Sequence, residues 1–412
     1  PAETDRRLQG AIKRAFYRSA MGIGLPHRPW GMLTGVRPGK LMTHLLAQGL
    51  NDAQAARQFE RQYDVSPARA DLVVRTAHAT LRAMESLGEK DVCLYVGIPF
   101  CPTRCAYCSF VSQSVEKSMA LVPEFLQALA REIAATAEAV RRAGLRVVSL
   151  YIGGGTPTTL SARQLDALCT QLAAAFDLSA LREFTVEAGR PDTITADKLQ
   201  VLRAHRVDRI SVNPQTLSDR VLDTIGRRHT AQDIYDALRL VRETGGFAVN
   251  MDLIAGLPGD TPDGFRATLE QVLALAPENI TVHTLSRKRG SNLMAQDAPI
   301  PDGAAVGEML DFAGTVLPRA GYAPYYLYRQ KFMSGGFENV GWTRPGQENL
   351  YNICIMEELC SILAMGGGAS TKLVRPNGGK LERHIDPKYP TEYIANIDRI
   401  CAAKAELEAF FQ

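Results

Sequence analysis

The sequence predicts an α/β fold: a partial (β/α)6 barrel with a helical N-terminal domain and an α+β C-terminal domain. Between residues 91 and 290, six short β-rich runs alternate with stretches of helical period. Strands that alternate with helices of this length indicate right-handed β-α-β units and a parallel sheet. Because a closed barrel takes eight such units, six predict a sheet that curls into an open barrel.

The two flanking domains lie where this alternation is absent. Residues 1–90 predict a helical accessory domain, with helices at 5–19, 40–48, 53–63 and 67–87. The turn-rich segment 30–40 is expected to be a loop and a helix start, with contact between its basic residues and an acidic ligand as the alternative. Residues 291–412 predict a C-terminal domain that covers the substrate. It contains a helix at 304–320 and an amphipathic helix at 392–411.

The core, residues 91–290, is predicted from its periodicity. Its predicted strands are 92–98, 147–152, 183–187, 209–213, 248–254 and 279–285. Its predicted helices are 119–142, 162–176, 196–204, 231–243 and 262–274. Ligands of parallel α/β sheets bind at the carboxyl ends of the strands, so functional residues are expected there.

The loop after the first predicted strand carries Cys101, Cys105 and Cys108 in a C-x3-C-x2-C pattern. Three thiolates this close can converge on one metal centre. The loop offers no fourth ligand, whereas a structural zinc site closes at four. Soft sulfur ligands with one position left open fit an iron–sulfur cluster that binds a cofactor or substrate. A partial zinc site and chance clustering are the alternatives.

The other five cysteines are scattered along the sequence, at Cys93, Cys169, Cys354, Cys360 and Cys401. They are expected to be buried as small apolar side chains. A second cluster formed by Cys354, Cys360 and Cys401 is the alternative.

Unusual residues follow or end four other predicted strands. A run of three glycines, residues 153–155, exposes backbone N–H groups where a ligand could approach closely. Glu187 and Asp252 place carboxylates where a sheet should be apolar, and Gln215 follows another strand. A buried carboxylate is costly unless it is paired or ligand-bound, so a functional role is predicted, with a structural salt bridge as the alternative.

The cysteine pattern, with Tyr107 just before the third cysteine, resembles the radical S-adenosylmethionine (SAM) enzymes. The lead-in Tyr95-x-x-Ile98-Pro99-Phe100-Cys101 resembles the oxygen-independent coproporphyrinogen III oxidase family, which has HemN, HemZ and HemW branches. Segments 30–40, 325–342 and 365–372 resemble the HemZ branch, the coproporphyrinogen dehydrogenases. The resemblance implies the radical SAM form of the (β/α)6 barrel.

The resemblance also implies cofactors and the residues that bind them. Cys101, Cys105 and Cys108 would hold a [4Fe–4S] cluster whose fourth iron binds SAM. The implied SAM contacts are Tyr95, Gly154, Gly155, Thr156, Glu187, Gln215, Arg227 and Asp252. Tyr107 would lie over the cluster, near a second SAM site, so that one or two SAM molecules bind. His229, close to Arg227, is expected to be structural or solvent-facing.

The implied function is that of an oxidoreductase of porphyrin and heme biosynthesis. A 5′-deoxyadenosyl radical, generated at the cluster, would remove hydrogen from coproporphyrinogen III propionates. Loss of CO2 and one electron would then leave vinyl groups and give protoporphyrinogen IX. No side chain is assigned as a catalytic acid or base. The partners would be the tetrapyrrole and a low-potential electron donor such as flavodoxin or ferredoxin.

The aromatic run near residue 325 is the predicted substrate surface. Its alternating rings are typical of a strand packed on a core. Interleaved cations would also suit a macrocycle that bears carboxylates. The predicted substrate contacts are Tyr326, Tyr328, Arg329 and Lys331.

The sequence departs from the HemN pattern at two positions. Phe110 stands where HemN has a fourth cysteine, and Gly97 stands where HemN has a histidine. Phe110 is shared with the HemZ and HemW branches, and HemW-like proteins are haem chaperones. A haem chaperone, an anaerobic enzyme that methylates or opens haem, and a non-catalytic zinc protein therefore remain alternatives.

The composition limits which partners and which cellular compartment are expected for the protein. The 412 residues carry a formal charge of +3, with 22% charged residues and no strong basic run, so nucleic acid is not expected. No apolar stretch reaches the length of a membrane span, and the first ten residues do not resemble a secretory signal. The first residue is Pro, so native residues are expected to precede it. Eight cysteines, three of them in an oxygen-sensitive pattern, predict a reducing cytoplasm.

Overall fold

A computed structural model gives the fold of the chain and its secondary-structure bounds. It describes residues 2–35, 37–108, 113–114, 118–286, 299–330, 333–375 and 381–411. The strands are β1 Asp91–Ile98, β2 Phe100–Cys101, β3 Gln113–Ser114, β4 Arg146–Gly154, β5 Glu183–Glu187, β6 Arg209–Ser211, β7 Ala248–Ala255, β8 Asn279–Thr284, β9 Ala323–Arg329, β10 Glu338–Thr343, β11 Ser361–Gly366, β12 Ser370–Leu373 and β13 Glu382–Ile385.

The helices occur before, between and after these strands. The α-helices are Ala2–Gly22, Pro38–Ala47, Asp52–Tyr63, Pro67–Ser86, Val122–Arg142, Ala162–Ala175, Ala196–Ala204, Asp219–Thr224, Ala231–Thr244, Pro262–Ala274, Gly303–Arg319, Leu350–Glu357, Pro390–Ala395, Ile397–Ala405 and Leu407–Phe411. Short 3-10 turns lie at Met119–Leu121, Pro157–Thr159, Pro191–Thr193 and Ser334–Gly336. Among the described residues, none of the helices is both long and apolar enough to cross a bilayer.

All six predicted core strands form, and neighbours in the series β1, β4, β5, β6, β7, β8 pair in parallel. The helices between them bury apolar faces on the sheet. Phe125, Leu129 and Ile133 of the first such helix are fully buried. Capping boxes start two of these helices: the side chains of Ser161 and Thr230 accept from the N3 backbone, a contact that contributes about 1 kcal/mol each. The predicted α/β partial barrel is confirmed.

The C-terminal segment extends this sheet at both edges. β11 pairs in parallel with β1, and β10 pairs antiparallel with β8. Across the residues described, eleven strands form one sheet in the order β13-β12-β11-β1-β4-β5-β6-β7-β8-β10-β9. The domain boundaries at residues 90 and 290 stay a prediction. Strands from both sides of residue 290, β8 and β10, are neighbours in the same sheet.

The turn-rich segment 30–40 ties the N-terminal helices to the C-terminal strands. Trp30 is buried, and its indole Nε1 donates to the Glu338 carboxylate at 2.6 Å. Arg37 and Lys40 both pair with Glu358. The basic side chains of this segment therefore contact an acid of the chain itself, which is the structural role expected of a loop and helix start.

The single helix predicted at 392–411 is wrong. Three short helices replace it, and the first ends at Ala395. The side-chain amide of Asn396 donates to the backbone carbonyl of Glu392 at 2.7 Å. The Glu392 carbonyl also accepts from the Asn396 backbone N–H at 3.1 Å, so both groups of Asn396 cap the first helix where it ends.

Candidate active site at the carboxyl ends of the parallel strands

A cavity of about 300 Å³ opens at the carboxyl ends of the parallel strands, where ligands of such sheets bind. The three cysteines of the C-x3-C-x2-C loop line it, together with residues that follow five of the six core strands. The predicted site residues on its wall are Cys101, Cys105, Tyr107, Cys108, Gly154, Gly155, Thr156, Glu187, Gln215, Arg227, Asp252 and Tyr328. The structure therefore brings together most of the positions that the sequence singled out.

The glycine turn after β4 is shaped by the cysteine loop that lies on it. A Cβ at Gly155 would lie 2.4 Å from the carbonyl oxygen of Phe100 and 3.0 Å from Sγ of Cys101. Gly154 adopts a φ of 111°, in the region that favours glycine. The Thr156 N–H donates to the Phe100 carbonyl at 2.7 Å. Only glycine at position 155 leaves room for the loop to approach this closely.

Two buried arginines stand beside the thiols. One guanidinium nitrogen of Arg190 lies 2.8 Å from Thr103 Oγ1 and 3.8 Å from Cys105 Sγ. Arg227 donates to the Asn213 carbonyl at 2.6 Å and also contacts Cys105 and Tyr107. These fixed positive charges can offset the negative charge of thiolates at the partly exposed cysteines.

The two predicted carboxylates are held differently. Glu187 accepts from the Tyr151 hydroxyl at 2.6 Å and from the Gly154 N–H at 3.2 Å, yet burial raises its pKa to about 7. Burial also opposes ionisation of Asp252, but hydrogen bonds from His283, Asn250 and Thr281 outweigh it and lower its pKa. At neutral pH Asp252 is therefore ionised, whereas Glu187 is close to half-ionised.

Gln215 reaches the cavity through an unusual backbone conformation. It adopts a φ of 66°, in the left-handed region that non-glycine residues rarely occupy. Its N–H donates to the Asp252 carbonyl at 2.8 Å, and its carbonyl accepts from the Ile254 N–H at 3.0 Å. Held by β7 in this way, Gln215 is a strained residue of the kind that collects at functional sites.

Three predicted contacts, Tyr95, Tyr326 and Arg329, do not lie on the cavity wall. The Tyr95 ring stacks with the rings of Tyr151 and Tyr351, at centroid distances of 6.1 and 6.0 Å. Tyr326 is buried, and its hydroxyl lies 3.2 Å from Thr281 Oγ1. Arg329 donates to the carbonyls of Leu33 and Gly336 and covers Trp30, so its charge is used within the fold. Lys331 lies outside the described residues.

Other residues on the wall were not predicted, among them Arg190, Asn213 and His283. Arg190 and Asn213 follow β5 and β6, so strand-end position was the signal available for both. His283 interrupts the buried strand β8, and its Nε2 lies 3.8 Å from Asp252 Oδ2. A polar residue in a strand core is the same signal that singled out Asp252.

The residues of this cavity fit an iron–sulfur cluster with SAM. Each thiolate of a four-iron cube binds a different iron, so the cluster needs three sulfurs around one cavity rather than three within reach of one ion. Cys101, Cys105 and Cys108 provide that arrangement on one wall. The bare glycine turn and the two acids face the same space and leave room for a ligand with an amino group and hydroxyls.

Comparison with known proteins gives the family. The radical SAM superfamily model matches residues 95–272. Over 389 residues the chain is 39% identical to the oxygen-independent coproporphyrinogen-III oxidase-like protein HemZ of Bacillus subtilis, covering 93% of this chain and 78% of that protein. Over 326 residues it is 29% identical to the heme chaperone HemW of Lactococcus lactis, covering 78% of this chain and 80% of that protein.

A solved structure agrees with these relatives. The structure of the coproporphyrinogen III oxidase HemN of Escherichia coli superposes with a TM-score of 0.59 at 25% identity, covering 78% of this chain and 72% of that chain. The chain therefore belongs to the radical SAM superfamily, whose members use a [4Fe–4S] cluster and SAM, and within it to the family of oxygen-independent coproporphyrinogen III oxidase-like proteins.

Proposed function

We propose that this protein catalyses the oxygen-independent oxidative decarboxylation of coproporphyrinogen III, converting two propionate side chains to vinyl groups and giving protoporphyrinogen IX. One observation carries the proposal: three thiols, a bare glycine turn and two partly buried acids share one cavity at the carboxyl ends of the strands. The similarity to HemZ over most of the chain supports the same reaction class.

In this proposal Cys101, Cys105 and Cys108 hold the [4Fe–4S] cluster. When bound, the cluster and SAM supply the radical that removes a hydrogen atom from the substrate. The protein contributes binding, orientation and exclusion of water. The closely packed loop of β2 and the glycine turn after β4 fix the thiols relative to the space for SAM.

The polar groups of the cavity divide between the two ends of SAM. Nε of Arg227 is buried with no hydrogen-bond partner among the described residues, which leaves a donor for a carboxylate. Glu187 and Asp252 offer acceptors for an amino group or ribose hydroxyls, and Gln215 lies between their strands. Gly154, Gly155 and Thr156 let the ligand approach the backbone. Tyr107 lies next to Cys108 on the same wall and is proposed to contact the bound cofactors.

The tetrapyrrole is proposed to meet the wall formed by β8, β10 and β9. Tyr328 lies there, with its hydroxyl 3.4 Å from Nδ1 of His283. Tyr326 stacks behind Tyr328 at a centroid distance of 6.4 Å and holds the ring in place. A flat, rigid aromatic surface next to polar groups suits a macrocycle that carries carboxylates.

The proposal is tested by anaerobic reconstitution of the cluster, followed by incubation with SAM, a reductant and coproporphyrinogen III. Vinyl products, CO2 and 5′-deoxyadenosine are expected in matching amounts. A low-potential donor such as flavodoxin or ferredoxin should replace the chemical reductant. Cys105→Ala should abolish both the cluster absorption and SAM cleavage, whereas Cys169→Ser, a change at a cysteine far along the sequence, should preserve both.

The second candidate function is that of a haem chaperone. It is favoured by the similarity to HemW over 78% of this chain and by Phe110, which stands where HemN has a fourth cysteine. In the same assay a chaperone would cleave SAM without forming vinyl groups and would retain added haem. A methylated or opened tetrapyrrole would instead identify a haem-modifying enzyme.

A further inference from the structure

A second group of three thiols lies apart from the cysteine loop. Sγ atoms of Cys93, Cys354 and Cys360 all lie within 4.8 Å of one another, and those of Cys93 and Cys360 are 3.6 Å apart. All three residues are buried. The expectation that these cysteines are buried is confirmed for all three, but the structure also brings them together. The alternative cluster included Cys401, but the structure brings in Cys93 in its place.

Three separate elements deliver these thiols. Cys93 lies on β1, Cys354 on the helix Leu350–Glu357, and Cys360 directly before β11. The parallel pairing of β1 with β11 sets Val92 opposite Ser361, which places Cys360 beside Cys93. A pairing between positions that are 267 residues apart leaves no local pattern in the sequence.

The distances suit a single thiophilic ion. With zinc–sulfur bonds of about 2.3 Å, a tetrahedral site places its sulfurs about 3.8 Å apart. The 3.6 Å contact and the 4.8 Å upper limit bracket that value. Small rotamer adjustments of three side chains would therefore complete three of the four corners of a tetrahedron.

One side of the thiol group borders a cavity. Cys360 lines a cavity of about 760 Å³ at the start of β1 and β11, the end of the sheet opposite to the cluster site. Asp91 also lines this cavity, but its carboxylate is already paired with Arg146 and Arg182. A water or a small thiol could therefore enter as the fourth ligand, as in zinc sites that keep one position open.

We propose that Cys93, Cys354 and Cys360 form a three-thiolate zinc site that is separate from the iron–sulfur site. Zn²⁺ binding converts the three thiols to thiolates and releases their protons to solvent. The ion joins β1, β11 and the helix Leu350–Glu357, and so fixes the C-terminal segment to the core. This site does not depend on the proposed reaction.

The surrounding side chains explain why the ion, rather than protein cations, would balance the thiolates. The group packs among Val148, Tyr151, Tyr351 and Ile362. Thiolates in such an apolar environment need a partner of opposite charge. Without the ion, the three side chains are neutral thiols that pack as small apolar groups.

The test uses the full chain with Cys101, Cys105 and Cys108 all changed to Ala, so that no cluster competes for metal. Under anaerobic reducing conditions this variant should bind one Zn²⁺ per chain. Co²⁺ in its place should give thiolate-to-cobalt charge-transfer absorption with the intensity of three sulfur ligands. Adding Cys360→Ser should weaken binding by more than the roughly 10- to 100-fold that loss of an outer-shell partner costs, because a direct ligand is lost. Adding Cys169→Ser, at a single buried cysteine, should leave binding unchanged.

A second measurement guards against loss of folding in the serine variant. Zn²⁺ should raise the Tm of the triple-alanine variant, since an ion that binds only the folded state stabilises it. The proposal is overturned if that variant binds no stoichiometric Zn²⁺ or shows no rise in Tm. It is equally overturned if Cys354→Ser and Cys360→Ser together leave the cobalt spectrum unchanged.

Discussion

Replacing Gly155 by Ala would add one methyl group at the closest contact between the glycine turn and the cysteine loop. The new Cβ would lie 2.4 Å from the carbonyl oxygen of Phe100 and 3.0 Å from Sγ of Cys101. The Phe100 carbonyl is backbone and accepts from the Thr156 N–H at 2.7 Å, so it cannot turn away cheaply. The loop carrying Cys101 must therefore move.

The size of the effect follows from this clash. Inserting a methyl into a well-packed position costs about 1–3 kcal/mol. If the loop relaxes in the cluster-free protein and must return to its place when the cluster binds, that cost weakens cluster binding by about 5- to 140-fold. If the loop cannot relax, the same cost appears in the free energy of unfolding.

The assay is anaerobic reconstitution followed by measurement of bound iron and sulfide, with denaturant unfolding of the same protein. Gly314→Ala is the matched control, since Gly314 is exposed within the helix Gly303–Arg319 and has no atom near its added Cβ. The free energy of unfolding of Gly314→Ala should equal that of the original protein or exceed it by up to about 1 kcal/mol. Wild-type iron content together with wild-type stability in Gly155→Ala would refute the described packing of the cysteine loop.

Three other predictions follow from the geometry. Because the pKa of Glu187 is raised to about 7, its carboxylate is about one-tenth ionised at pH 6 and about nine-tenths ionised at pH 8. The affinity of the reconstituted protein for SAM, measured by equilibrium dialysis, should therefore rise between pH 6 and pH 8. Glu187→Gln should remove this pH dependence. Glu338→Gln should lower the free energy of unfolding by about 3 kcal/mol in denaturant titrations, because it removes the buried negative charge that pairs with Arg69, while its amide oxygen can still accept from Trp30. Glu348→Gln, at an exposed pair with Arg82, should cost under about 1 kcal/mol. Arg190→Gln should lower the reduction potential of the cluster in anaerobic titrations, because a positive charge 3.8 Å from Cys105 Sγ is lost; an unchanged potential would argue against Cys105 as a cluster ligand.

Local periodicity was enough to predict the core strands. The parallel runs around Val148, Val186 and Val249 are β-rich, short and separated by helices, so each element is specified by its own residues. The functional end of the sheet followed from the same rule, because polar residues at strand ends converge there. Glu187, Gln215 and Asp252 all reach the cavity for this reason.

Contacts between distant segments could not be predicted in this way. β11 inserts beside β1, and nothing near Ser361 indicates which strand it joins. The positions of Arg329 and Cys93 depend on such pairings. Arg329 alternates with aromatics as a ligand-binding residue could, but the folded N-terminal loop supplies carbonyls that its guanidinium binds first.

Tyr95 does not line the cavity, but its ring is connected to a residue that does. Its ring is one of three that stack together, and the rings of Tyr151 and Tyr351 lie 4.4 Å apart. Tyr151 donates to Glu187 at 2.6 Å, so the stack holds an acid of the active site in position. The same stack packs against Cys93 and Cys354 on its other side. The tyrosine rings therefore pack with the thiol group on one side and, through the Tyr151–Glu187 hydrogen bond, connect to the cavity on the other.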